Sequence, residues 1–190
     1  MRTHLTAAAI SLLTIACAGG AGDETDTSAA DTTASMTTSG GNSVTTTVRD
    51  ANGRDLGTLT LTDGSGGVSI SGTLTGLPPG EHGLHLHMVG RCDAPGFESA
   101  GDHWNPTSKQ HGSQNPQGPH LGDMPNVTAG ADSSATVQAT TPGGMLRGAT
   151  DMLLDADGAA VVIHASPDDY LTDPSGGSGA RIACGMISGM

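Results

Sequence analysis

The sequence predicts an all-β domain, an antiparallel sandwich or barrel, on three observations. Short runs alternate apolar or β-branched residues with polar ones, turn-forming clusters of Gly, Pro, Asn and Asp separate them, and no stretch keeps a helical period for a useful length. The whole chain is 190 residues with a formal net charge of −12. That length allows one domain plus a leader and a linker.

Residues 1–16 read as an export signal, with Arg2 as a positive start and a short apolar run, LTAAAISLLTIA, too short to span a membrane. Cys17 follows Thr14-Ile15-Ala16, which resembles a bacterial lipobox with its leucine displaced to Leu13, so Cys17 is the expected lipidation site. The competing reading is an ordinary secretory signal with small-residue cleavage nearby. The rest of 17–42 is Ala, Gly, Ser, Thr and Asp with almost nothing large, the composition of a flexible tether.

The domain is expected over 43–190. Strands are predicted at 44–50, 57–62, 67–76 and 83–88, with turns at Ala51-Asn52-Gly53, Asp63-Gly64 and Leu77-Pro78-Pro79-Gly80. Further strands are predicted within 127–141, within 149–165 around an Asp157-Gly158 turn, and at 181–188. Phe97, Trp104 and Tyr170 are the only aromatics, and all three fall in predicted loops. An immunoglobulin domain would bury a strand Trp beside a disulfide, so the core here is expected to be Val, Ile, Leu, Met and Ala.

The stretch from Glu81 to Asp123 concentrates the chemistry. It holds six of the eight histidines, His82, His85, His87, His103, His111 and His120, while His164 ends a later apolar run and His4 lies in the leader. In Leu84-His85-Leu86-His87 the two imidazoles share one strand face. His82 is out of phase with them and is expected to face away. The Gly-, Pro- and Asn-rich chain beyond forms a long loop, which metal ligation would order. One H-x-H alone is more often a surface or core pair than a ligand pair; seven histidines in one domain point to metal.

The pieces GLHLHMVGRC (83–92), SAGDHWNP (99–106), KQHG (109–112), PHLGDMPNV (119–127), VVIHASPDD (161–169) and GSGARIACGMI (177–187) resemble the copper/zinc superoxide dismutases, in the same order and over nearly all of 43–190. The resemblance implies a Greek-key antiparallel β-sandwich or flattened barrel of about eight strands with long metal-binding and active-site loops. Those dismutases are themselves a known example of sandwich architecture, so fold and family are not independent readings. It implies copper on His85, His87, His103 and His164, and zinc on His103, His111, His120 and Asp123, with His103 bridging. It implies Arg181 as the residue that guides the anion and, with His103, the catalytic pair. Asp168 would link His85 to His111, and Cys92 would pair with Cys184, two free thiols being the alternative. Between Cys92 and His103 the subloop DAPGFESAGD is enlarged, as it often is in bacterial members.

The activity so implied is disproportionation of superoxide to oxygen and hydrogen peroxide by a redox-cycling copper bridged to a structural zinc. The alternative is a non-catalytic domain of the same fold that stores or delivers the metals; relatives of that kind typically lose ligands or the arginine, and all are present here. The loop at 165–180 carries Asp168, Asp169 and Asp173 and no lysine, which predicts weak electrostatic steering and a rate below the family's fastest. No basic run or aromatic surface suggests nucleic acid. Membrane contact is expected only through the lipid anchor of a periplasmic or cell-surface lipoprotein. A homodimer and a monomer both fit the resemblance. Asn126-Val127-Thr128 matches a glycosylation sequon, idle in a bacterial-style lipoprotein.

Overall fold

The computed structural model describes residues 42–148 and 150–188. The leader, Cys17 and the linker up to residue 41 lie outside the described residues. Among the described residues nine strands form: β1 (Ser43–Asp50), β2 (Asp55–Gly64), β3 (Gly67–Thr75), β4 (Gly80–His82), β5 (Leu84–His87), β6 (Val127–Ala129), β7 (Ser134–Thr140), β8 (Ala159–His164) and β9 (Arg181–Ile187). Seven of them make one antiparallel sheet in the order β5-β8-β9-β1-β2-β3-β7, and β4 pairs with β6. The alternating runs explain the pairing. Val44, Leu59, Leu61, Ile70, Leu74, Val161 and Ile163 are buried in one core cluster, while the intervening threonines and serines of β2 and β3 are largely exposed or half-buried.

The sequence placed about eight strands, and the ninth is the three-residue β4. Gly83 separates it from β5 by turning its own backbone to the β8 side: its N–H donates to Ser166 O at 2.9 Å and its O accepts from His164 N–H at 2.9 Å. The predicted strand within 149–165 is realised only as β8. In the described part before it, Leu153 and Leu154 donate backbone hydrogen bonds to Met145 and Leu146 and are buried, but this makes only one isolated parallel bridge, Met145 to Met152. An apolar pair buried by a loop is indistinguishable, by pattern, from the end of a strand.

The core also departs from the aliphatic expectation. Trp104 is 4% exposed and belongs to the main core cluster, and Phe97, 2% exposed, packs with Ala100, Ala160, Val162 and Cys184 in a second. Both do lie in loops, but the loop between β5 and β6 folds back over β5 and carries its aromatics inside. It is clamped there by main-chain contacts. Leu86 N–H donates to Gly122 O at 2.9 Å, Leu86 O accepts from Trp104 N–H at 2.8 Å, and Gly122 N–H donates to Trp104 O at 2.8 Å. A side chain at 122 would collide with Leu86 O, so this approach needs glycine.

Candidate metal centre

That loop contact places the site. β5 ends the large sheet, and the loop pairs with its free edge through the isolated bridges His85–Asp123 and His87–His103. Two strand histidines and two candidate ligands of the loop therefore sit side by side. Leu84 and Leu86 turn into the core, so His85 and His87 turn to the loop side, as the alternation predicts. His164 arrives from the end of β8, where the register shifts between Ile163 and His164 on β9.

His85, His87, His103 and His164 converge, one ligand atom from each lying within 4.8 Å of the others. Four ring nitrogens here are buried without any hydrogen-bond partner: His85 Nδ1, His87 Nε2, His103 Nε2 and His164 Nε2. In all four the other nitrogen is engaged, that of His103 by Asp123 Oδ1 at 2.9 Å. His85 Nε2 donates to Asp168 Oδ2 at 2.9 Å, His87 Nδ1 to Gly101 O at 2.9 Å, and His164 Nδ1 to Gly179 O at 3.2 Å. A proton fixed on the engaged nitrogen leaves a lone pair on the orphaned one, so the lone pairs point into a common space. Burial pushes His85 down to about 3, His87 well below the ordinary imidazole range and His164 down to about 4, so all three stay neutral at pH 7.

The second group gathers around one carboxylate oxygen. Asp123 Oδ1 lies 2.9 Å from His103 Nδ1, 3.0 Å from His111 Nδ1 and 3.2 Å from His120 Nδ1. Its Oδ2 accepts from the backbone N–H of Gly112 at 2.8 Å and of His120 at 2.9 Å, which fixes the carboxylate. Proximity alone would put His85 in place of His120 in this group. The ring contacts decide against it, because His85 Nε2 is taken by Asp168 and its Nδ1 belongs to the first cluster, whereas His120 turns Nδ1 to Asp123. Burial opposes charge on His111, but its hydrogen bonds to the Asp123 and Asp168 carboxylates outweigh it and raise the imidazole to about 9 when no metal is bound. Burial disfavours ionised Asp123 and Asp168 as well; their histidine partners reverse this and hold both carboxyls well below the usual range. Burial is also the main reason that His103 is pushed down.

Asp168, 3% exposed, joins the two groups, since its Oδ1 accepts from His111 Nε2 at 2.9 Å while Oδ2 holds His85. The Arg181 guanidinium donates to Phe97 O and Gly101 O, each at 2.8 Å. Gly101 O thus ties Arg181 to His87. The Cys92–Cys184 disulfide forms and fastens the same loop to β9, three residues from Arg181. His82 stays out of both groups, but it is buried rather than turned to solvent, its ring nitrogens 2.8 Å from His164 O and 2.7 Å from Pro78 O. Sequence reading passed over Phe97, Gly101 and Gly179, which act through backbone carbonyls and so carry no side-chain signature, and it read Asn126 only as a sequon residue.

A cleft of about 480 Å³ opens onto this centre, with His103, His120, His164 and Arg181 in its wall. The family model for copper/zinc superoxide dismutase matches residues 56–187. The chain is 45% identical to "Superoxide dismutase [Cu-Zn]" of Caulobacter vibrioides over 148 residues, 76% of this chain and 85% of the relative. A variant of a SOD-like protein from Bacillus subtilis matches in structure with a TM-score of 0.73 and 41% identity, covering 76% of this chain and 97% of that one. The Cu/Zn superoxide dismutase of Brucella abortus matches with a TM-score of 0.61 and 28% identity, covering 77% of this chain and 99% of that one. With fold, convergent histidines and sequence in agreement, the chain belongs to the copper/zinc superoxide dismutase family and is an enzyme of that type.

Proposed function

We propose that the chain disproportionates superoxide at a copper held by His85, His87, His103 and His164, beside a zinc held by His103, His111, His120 and Asp123. Four buried ring nitrogens that lack any partner carry this reading, since buried polar atoms without partners are costly and a cation that accepts four lone pairs satisfies them together. The three Nδ1 atoms together with the Asp123 carboxylate would supply the three nitrogens and one oxygen of a closed zinc site. Copper supplies the one-electron redox change that the reaction requires, and zinc supplies a fixed charge that does not change oxidation state.

The chain's own residues do the rest. Arg181, always charged and braced by two carbonyls, offers its guanidinium to the anion at the cleft wall. Two superoxides and two protons give one oxygen and one hydrogen peroxide. His103 Nε2, when its lone pair is not given to a metal, would hold one of those protons, the residue being 5% exposed and in the cleft wall, and the second proton would come from solvent. Asp123 orients His103 from its Nδ1 side, and Asp168 keeps His85 in the tautomer that ligates through Nδ1.

The test is superoxide consumption by metal-free, zinc-only and copper-plus-zinc protein, with Arg181→Ala alongside. Turnover by the copper-loaded form alone, slowed about tenfold or more in Arg181→Ala, is the expected result. A second reading is a non-catalytic domain of the same fold that stores or delivers the metals, which the similarity to a protein named only SOD-like leaves room for. Stoichiometric copper binding without turnover above buffer would establish that reading and remove the first. We further propose export, lipidation at Cys17 and tethering through 17–42, which the leader sequence supports. In a bacterial host, Cys17→Ser is expected to shift the protein from the membrane pellet to the soluble exported fraction.

A further inference from the structure

We infer that Asn126 is a positioning residue for both metals: its carboxamide sets the main chain of Asp168, and through it the carboxylate that joins His85 to His111. The inference rests on the proposed assignment of His85 to copper and His111 to zinc. Asn126 stands immediately before β6, a strand paired with β4, whereas Asp168 lies in the 165–180 loop. Asn126 Oδ1 accepts from Asp168 N–H at 2.9 Å, and Asn126 Nδ2 donates to Asp168 O at 3.0 Å. The backbone N–H of Asn126 donates to Tyr170 Oη at 2.8 Å, and Tyr170 N–H returns to Asp168 Oδ1 at 2.7 Å.

The carboxamide does for Asp168 what a neighbouring strand would do, supplying one acceptor and one donor to the same residue. Asn can offer both from one short planar group; Asp lacks the donor and Ala lacks both. Asp168 has to meet two buried imidazoles at once, each at 2.9 Å, so a shift of its backbone lengthens one bond when it keeps the other. Asn126 touches neither metal group's ligand atoms, and its effect on them passes through Asp168. The amide nitrogen that a glycan would occupy at the sequon is already engaged in this brace.

The experiment measures zinc release to a chelator from the full-length copper-plus-zinc protein. Wild type is compared with Asn126→Ala, Asn126→Asp, Asp168→Asn and the Asn126→Ala/Asp168→Asn double variant. Asn126→Asp keeps the size and the acceptor, and so serves if the alanine variant does not fold. Each single substitution is expected to speed release about tenfold or more, and the double variant to release zinc no faster than Asp168→Asn, since the brace then has nothing left to set. A silent Asn126→Ala, or an effect of the same factor in both backgrounds, overturns the inference while leaving the two-metal reading intact. Wild-type release rates in Asp168→Asn, or no zinc bound by wild type, overturn both.

Discussion

At the scale of single residues, space is as specific as chemistry. A Cβ at Gly176 would collide with Asp168 Oδ1 and lie 2.7 Å from His111 Nε2, and the residue's φ of +64° itself favours glycine. Gly176→Ala is expected to displace the Asp168 carboxylate and weaken zinc retention about tenfold or more, read by chelator competition. The titrations give a second expectation, for the metal-free protein. His85, His87, His103 and His164 are all depressed in the folded state, chiefly by burial. Below about pH 6.5 the unfolded chain takes up protons that these four refuse, so stability falls as the pH drops toward the folded values of about 3 and 4. Asp123 and Asp168, both depressed, act in the same direction at lower pH, losing their contribution below the ordinary carboxyl range. His111 is raised to about 9, so its contribution is complete below about pH 6.5 and is lost as the pH rises through 9. Denaturation midpoints of metal-free protein from pH 4 to 9.5 should show a steep acid side and a shallower alkaline one. The seven proposed ligand positions stood out as candidates because six of the eight histidines cluster between Glu81 and Asp123 and strand alternation gives His85 and His87 one direction. Asn126 was not, because a side chain that braces another residue's main chain looks like any polar loop residue until the loops are folded.

At the scale of elements, the fold organises the centre around β5 and β9. Strands with clear alternation, β1, β2, β3, β5 and β7, were readable to within a few residues. β4 was not predicted, because Gly80 closes the Leu77-Pro78-Pro79-Gly80 turn signal and Glu81-His82 stand ahead of the alternating run that begins at Gly83. The 150–158 segment misled because Leu153 and Leu154 are core residues without being strand residues. β9 has two duties, carrying Arg181 at its start and Cys184 in its middle. The disulfide closes a separation of 92 residues, which by chain entropy corresponds to roughly 4–5 kcal/mol. Reduction should lower the denaturation midpoint accordingly. It should also lower activity before global unfolding, because the loop whose Phe97 and Gly101 carbonyls hold Arg181 is the one released. Leu74→Ala, a fully buried core residue of β3 outside the histidine clusters, is the contrasting case. It is expected to cost about 2–5 kcal/mol in denaturant titrations while leaving metal stoichiometry unchanged.

At the scale of the whole molecule, the field around the cleft is nearly balanced. Arg49, Arg54 and Arg91 are each paired with an aspartate, while Arg181 and Lys109 line the cleft together with Asp102 and Asp173. Two cations against two carboxylates, on a chain of net charge −12, give an incoming anion little long-range guidance. The rate constant kcat/KM is therefore expected to change little between about 10 and about 200 mM ionic strength, and a steep fall with salt would contradict weak steering. The clamp of Leu86 between Gly122 and Trp104 has a consequence of another kind. A sheet's terminal strand offers its open peptide groups to any extended segment, which is how folded proteins seed fibrils. Here the liganding loop itself occupies that rail, so holding the metals and keeping neighbouring molecules from zipping onto β5 are one act. Loss of the loop from β5 would then threaten solubility as well as turnover.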